Sequence, residues 1–195
     1  MNNNFEVRVV AIDGPSGSGK SSTAKLIARR AHWNYLDTGA LYRAITWLAL
    51  EKNIEEGSLL VDKAIEIGIR INDDVDDPKV FVGDKDVSEA IRTLRITDKV
   101  SEFARLPEVR EFMVKMQREI ISRAAHGIVV EGRDIGTVVA PEADLKIFLF
   151  ADLGARTSRR ESELAEVTTS STVEASLSKR DAIDSTRKIS PLRPA

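Results

Sequence analysis

The residues whose types and spacing most narrowly define a chemistry lie near the start of the chain. Gly14-Pro15-Ser16-Gly17-Ser18-Gly19-Lys20-Ser21 fits the pattern G-x-x-x-x-G-K-[ST]. In such a loop glycines let the backbone bend until successive N–H groups point inward at phosphate oxygens. A lysine at the position of Lys20 reaches the β- and γ-phosphates of a bound triphosphate, and a hydroxyl at that of Ser21 ligates Mg²⁺. The motif means this only between a strand and a helix. Both flanks fit: Val9-Val10-Ala11-Ile12-Asp13 reads as a buried strand, and an amphipathic helix is expected from about Lys20 to Ala31. The positive end of that helix adds to the attraction for anions.

A second set consists of arginines near acids at strand ends. Asp37 closes a short strand over Trp33–Asp37 and starts a helix whose apolar positions are Leu41, Ala44, Ile45 and Leu48. Arg43 lies nearly opposite that stripe, toward solvent or a ligand. Gly127–Glu131 is an apolar run ending in an acid, as a buried parallel strand would be, and Gly132-Arg133-Asp134 follows it. Ala143–Phe150 reads as another buried strand. After it, Asp152 can cap a helix on which Arg156, Arg159 and Arg160 point one way. Ser171-x-x-Glu174 is a capping box for a last helix, with Arg180, Asp184 and Arg187 along one face. The polar stretch Glu163–Thr172 between these helices carries no pattern and reads as mobile. Two arginine triplets beyond the last strand suit positive charge that closes over a phosphoryl transfer and excludes water.

Strands alternating with helices predict an α/β fold with a parallel sheet and with ligands at the carboxyl ends of its strands. The texture changes from Ile65 to Pro107. Ala64–Ile71 alternates toward its end, Lys79–Val82 is a short strand, Gly83-Asp84 is a hairpin signal, and Lys85–Val87 continues it. This predicts a small antiparallel unit inserted into the α/β chain. Two helices follow, the first with Ile96, Val100, Phe103 and Ala104 inward. The second starts at Pro107, with Val109, Phe112, Met113, Met116 and Ile120 as core.

The 195 residues can bury one full core. A net charge of −2 without long blocks of one sign gives no nucleic-acid or membrane tail. The absence of cysteine removes disulfides and thiolate chemistry, and two histidines are too few for a His-rich metal site. The first residues lack the basic and apolar regions of a signal peptide, and no apolar run approaches the ~20 residues of a membrane span. The expectation is a soluble, cytoplasmic protein.

The chain resembles the bacterial cytidylate kinases, nucleoside monophosphate kinases of the P-loop superfamily. The likeness runs almost end to end. It is carried by Asp13–Ser21, Leu36-Asp37-Thr38-Gly39-Ala40-Leu41-Tyr42-Arg43, Val87–Arg92, Glu131-Gly132-Arg133-Asp134-Ile135-Gly136-Thr137-Val138-Val139 and Lys179-Arg180-Asp181. The resemblance implies a three-layer P-loop kinase fold with a central parallel sheet, an inserted small antiparallel monophosphate-binding region and a helical lid. It divides the chain into a core of 1–37 and 108–195, with the lid at about 153–171, and a monophosphate-binding region of 38–107 with its insertion at about 65–107. The family pattern continues beyond Pro191–Ala195 with one more strand and helix, and the expected fold lacks both. Leu145–Phe150 would then be a bare edge unless a partner covered it.

The implied reaction is γ-phosphoryl transfer from ATP to CMP or dCMP, giving ADP and CDP or dCDP, with Mg²⁺. ATP falls to Gly14, Pro15, Ser16, Gly17, Ser18, Gly19, Lys20, Ser21 and Ser22, with Ser21 on the metal. The implied CMP site is Thr38, Arg43, Ser101, Arg110, Arg133 and Asp134, with Arg180, Asp184 and Arg187 from the last helix. Lys20, Arg156, Arg159 and Arg160 are the implied catalytic charges. The partners are then small nucleotides, with no nucleic acid or membrane, and the chain is expected to be a monomer. Another small-molecule kinase on the same loop, of uridylate/cytidylate or shikimate type, shares Gly14–Ser21 but leaves the insertion and Gly132–Val139 without a reason. A GTPase-type switch lacks its D-x-x-G and [NT]-K-x-D signatures.

Overall fold

The side chains of β1 (Val9–Asp13) leave the strand alternately to two faces, and both faces are buried. Ala11 packs into one apolar cluster, while Val10 and Ile12 pack into another. β6 (Ile128–Gly132) repeats the pattern, with Ile128 and Val130 on the Ala11 side and Val129 on the other. A strand that is apolar in both directions needs helices above and below it. The result is a three-layer α/β sandwich, seen in a computed structural model that describes residues 8–163, 170–186 and 192–195. Side chains 160–163, 170–173, 176, 180, 184 and 185 lie outside that description.

The central sheet has the order β2-β6-β1-β7, with β2 at Asn34–Asp37 and β7 at Leu145–Phe148, and every neighbouring pair is parallel. α1 (Lys20–Ala31) covers one face through Ala24 and Ala28. The other face is covered by α2 (Thr38–Lys52), α3 (Gly57–Ile67) and α5 (Pro107–Ser122). α2 starts where the Asp37 carboxylate accepts the Ala40 N–H at 3.0 Å, and it ends at Asn53 in the left-handed region. Its buried Leu41, Ala44, Ile45 and Leu48 are the stripe expected from spacing.

The inserted unit is the antiparallel meander β3 (Ile69–Ile71), β4 (Val80–Val82) and β5 (Lys85–Asp86), followed by α4 (Leu94–Phe103). Its Ile69, Val80 and Val82 belong to the same core as α2 and α5. Three readings need adjustment. The inserted unit, expected to begin at about Ile65, begins only at Ile69, where the alternation toward Ile71 becomes β3, because α3 runs on to Ile67 and stops at Gly68 (φ 84°). The stretch after β6, left unassigned from the sequence, is a π-helical turn over Ile135–Val139. β7 pairs with β1 and is the outer strand of the described sheet, so Leu145 in it and Phe150 just beyond it are exposed where the apolar run alone reads as buried.

α6 (Leu153–Glu163) begins where Asp152 accepts the Ala155 N–H at 2.9 Å, and α7 (Ser170–Thr186) packs beside it. Of the stretch expected to be mobile, Glu163 and Ser170–Thr172 are helical, and the rest, 164–169, together with that part of the expected lid, lies outside the described residues. Among the described residues no helix is long and apolar enough to cross a membrane.

Candidate active site

β1 delivers the chain into the phosphate-binding loop with little room to spare. A Cβ on Gly14 would overlap the Leu149 carbonyl oxygen, and φ of 150° there suits only glycine. Gly19 is left-handed (φ 95°) and stands at the start of α1, so the last N–H groups of the loop run into the helix terminus. Lys20 Nζ donates to the Pro15 carbonyl at 2.7 Å, folding the side chain back over the loop.

The loop forms one wall of a cavity of about 370 Å³ at the carboxyl ends of the strands. Ser16, Gly17, Gly19, Lys20, Ser21 and Ser22 line that wall; Asp37, Thr38, Gly39, Tyr42 and Arg43 come from β2 and α2. The far wall is Val100, Ser101, Ala104 and Arg110, and the floor is Glu131, Gly132, Arg133 and Asp134, with Arg159 over the loop. Thus thirteen of the residues expected at the site share one space: Ser16, Gly17, Gly19, Lys20, Ser21, Ser22, Thr38, Arg43, Ser101, Arg110, Arg133, Asp134 and Arg159. Gly14, Pro15 and Ser18 shape the loop from behind. Arg156 is buried beside it, donating to the Ser16 carbonyl at 3.2 Å and paired with Asp181 of α7. The side chains of Arg160, Arg180 and Asp184, and all of Arg187, lie outside the described residues.

At the far wall Arg110 and Asp134 form an ion pair, and both side chains are almost wholly buried. Arg110 also donates to the Ala104 carbonyl at 3.1 Å and lies 5.7 Å over the Tyr42 ring, while its Nε has no partner. Arg43 reaches across from α2 to Thr97 Oγ1 at 2.8 Å and the Ile91 carbonyl at 3.3 Å, tying the insertion to the cavity. Arg133 meets Asp181 at 3.5 Å. Arg159 donates to the Gly17 carbonyl at 3.3 Å.

The middle of the cavity is a contest between charges. Burial, with Arg133 nearby, lowers the Lys20 pKa to about 8. Burial, with Asp37 close, raises the Glu131 pKa to about 7. Glu131 accepts the Ser21 hydroxyl at 2.9 Å and also the Tyr35 hydroxyl, whose own pKa burial raises further. Burial raises the Asp13 pKa as well, against two backbone N–H groups that favour its charged form. Glu131, Asp37 and Tyr42 line the cavity, and Asp13 and Asp181 support it, beyond the residues expected at the site. The sequence carries a signal for Glu131 and Asp37, since both are acids ending strands beside the loop, but none that assigns a role to Tyr42, Asp13 or Asp181.

The donors fit a hard cation. Ser21 Oγ and the Glu131 and Asp37 carboxylates offer oxygen, which suits Mg²⁺. Among the described residues no group of three or more His, Cys, Asp or Glu is gathered that could hold a metal.

The family model described as cytidylate kinase matches residues 10–195. The chain belongs to the cytidylate kinase family. A cytidylate kinase of Streptomyces avermitilis is 49% identical over 189 residues, covering 96% of this chain and 81% of the relative. One from Streptococcus thermophilus is 43% identical over 192 residues, covering 95% and 84%. Membership makes the protein a phosphotransferase, and its P-loop, central parallel sheet and antiparallel insertion are the family's expected architecture.

Proposed function

We propose that the protein transfers the γ-phosphoryl group of ATP to CMP or dCMP, yielding ADP and CDP or dCDP, as a cytoplasmic monomer acting on free nucleotides. The reading rests on one observation above all. A single cavity runs from the amides and Lys20 of the loop, past Arg43 and Arg133, to the buried Ser101, Arg110 and Asp134. A phosphate cradle at one end and a buried base-sized recess at the other suit two nucleotides meeting phosphate to phosphate.

In this reading the loop from Gly14 to Ser22 holds the triphosphate, with Lys20 on its β- and γ-oxygens. Ser21 would hold Mg²⁺, which when bound neutralises charge on the β- and γ-phosphates. Arg43 and Arg133 grip the monophosphate, whose ionised oxygen is the nucleophile; guanidinium forks match phosphate oxygens two at a time. That oxygen carries no proton to remove, so no general base is needed. Catalysis is alignment plus positive charge, to which Arg156, Arg159 and Arg160 contribute. At the far wall Asp134 accepts the cytosine amino group, while Arg110 and Ser101 donate to its ring nitrogen and carbonyl. Uracil would set a carbonyl against the Asp134 carboxylate. Thr38 commits its hydroxyl to the Glu131 carbonyl at 2.7 Å and shapes the floor; the family likeness assigns Arg180 and Asp184 to the base or sugar and adds Arg187 to the CMP site. Residues 38–107 then act as the monophosphate-binding region and 153–171 as the lid.

Calorimetric titration with CMP, dCMP, UMP and AMP tests this. Cytidine nucleotides should bind at least about tenfold tighter than UMP, since a mismatched buried polar group costs ~1–3 kcal/mol. Equal affinity for CMP and UMP would overturn the reading.

A further inference from the structure

Asp134 stands at the N-cap position of the turn Ile135–Val139, where an aspartate ordinarily caps with its own carboxylate, yet it makes no capping bond. Its carboxylate is turned away, into the buried pair with Arg110. The first N–H groups of the turn would be left without acceptors, a costly arrangement in a site where Ile135 and Gly136 are buried. They are satisfied from elsewhere. Asp13, at the end of β1, accepts the Ile135 N–H on Oδ1 and the Gly136 N–H on Oδ2, each at 2.8 Å. Asp13 is itself buried, and it lies 122 positions from Ile135 in sequence.

We infer that Asp13 is a positioning residue that caps the Ile135–Val139 turn in place of Asp134, and so frees the Asp134 carboxylate for Arg110 and the base of the acceptor nucleotide. The specificity part of this rests on the cytidine reading above. The same residue precedes Gly14, so one carboxylate ties the donor loop to the turn that carries the acceptor contacts. The far end of the turn is held separately. Arg118 of α5 donates from Nε to the Val139 carbonyl at 3.0 Å and from a terminal nitrogen to the Val138 carbonyl at 2.7 Å. Arg118 does not line the cavity, which makes it a control for loosening without recapture of Asp134.

Asp13→Asn keeps the volume but offers one acceptor where two are needed. The vacancy draws Asp134 back to its own turn and leaves Arg110 without its acid. Kinetics of Asp13→Asn and Arg118→Met, with CMP and UMP as acceptors, together with amide hydrogen exchange, form the test. In Asp13→Asn the CMP over UMP preference in kcat/KM should fall about tenfold, while KM for ATP stays within about threefold. In Arg118→Met exchange should quicken at the far end of the turn with the preference kept within about twofold. The inference is overturned if Asp13→Asn keeps the preference, or if Arg118→Met loses it equally, since loosening alone would then suffice. Should Asp13→Asn fail to fold, the wild-type protein decides: Ile135 and Gly136 amides must exchange as slowly as the β1–β6 ladder, and fast exchange refutes the cap. A wild-type enzyme with no preference for CMP would sink the cytidine reading instead, and the cap would then stand or fall on that exchange alone.

Discussion

Replacing Asp134 by Asn should expose why an ion pair is buried at the far wall. The Arg110 and Asp134 side chains are 3% and 6% exposed, so the substitution leaves a guanidinium charge with no counter-charge and little water. Losing one member of such a pair typically costs ~3–5 kcal/mol. Arg110 keeps its bond to the Ala104 carbonyl and its place over Tyr42, so the lower end, ~3 kcal/mol, is expected. With a urea slope of about 2–3 kcal/mol per molar, the unfolding midpoint should drop by about 1–1.5 M. The double variant Arg110→Met with Asp134→Leu removes both charges and should recover most of that loss, because apolar replacements of buried pairs are often neutral or stabilising. Its phosphorylation of CMP should nevertheless collapse. Recovery of stability without recovery of activity means that the pair is kept for the ligand. The reasoning is refuted if Asp134→Asn loses less than about 1 kcal/mol, or if the double variant still prefers CMP to UMP.

Two further predictions concern charge. The Glu131 pKa, raised from 4.5 to about 7 by burial first and Asp37 second, means that the folded state holds this proton more tightly than the unfolded chain. This carboxyl therefore costs stability as pH rises from 4.5 through 7, by ~3 kcal/mol once ionised in both states. Glu131→Gln has no such proton to lose. Its stability should gain on the wild type steadily between those pH values, and a difference that stays flat in paired denaturant titrations would count against the assignment. Lys20, lowered to about 8 by burial first and Arg133 second, is partly neutral in the free protein at alkaline pH. A triphosphate against it restores the charge, so ATP binding at about pH 8.5 should take up protons, and at about pH 6.5 Lys20 should contribute none. Calorimetry in buffers of different ionisation enthalpy reads this directly, and proton release at the higher pH would contradict it.

The loop, β1 and α1 could be read to the residue because their signals are local. The strand is apolar on both faces, the glycines are spaced for phosphate, and the helix begins where the loop ends. The cavity was legible for the related reason that ligands in parallel sheets gather where strands end. What escaped depends on distant parts of the chain. The π-helical turn at Ile135–Val139 needs a carboxylate from β1 and a guanidinium from α5, and nothing within it announces either. β7 reads as buried from its apolar residues alone, and only the likeness to a family pattern with one more strand pointed to its place at the edge. The inserted unit was expected from about Ile65, but packing of Leu60 and Ala64 into the core keeps the chain helical to Ile67, and the alternation becomes a strand only from Ile69. Arg156 shared a helix face with Arg159, as spacing required, yet its partner Asp181 arrives from α7 and draws it under the loop.

The central claim is that one phosphoryl group passes between two nucleotides in the cavity bounded by the loop and by Arg43, Arg133 and Asp134. Incubating the protein with Mg²⁺, ATP labelled in its γ-phosphoryl group, and equal amounts of CMP, UMP and AMP, then separating the products, tests it most directly. The account predicts label in CDP well ahead of UDP or ADP. Label found only in inorganic phosphate, or spread evenly over the three acceptors, would contradict it.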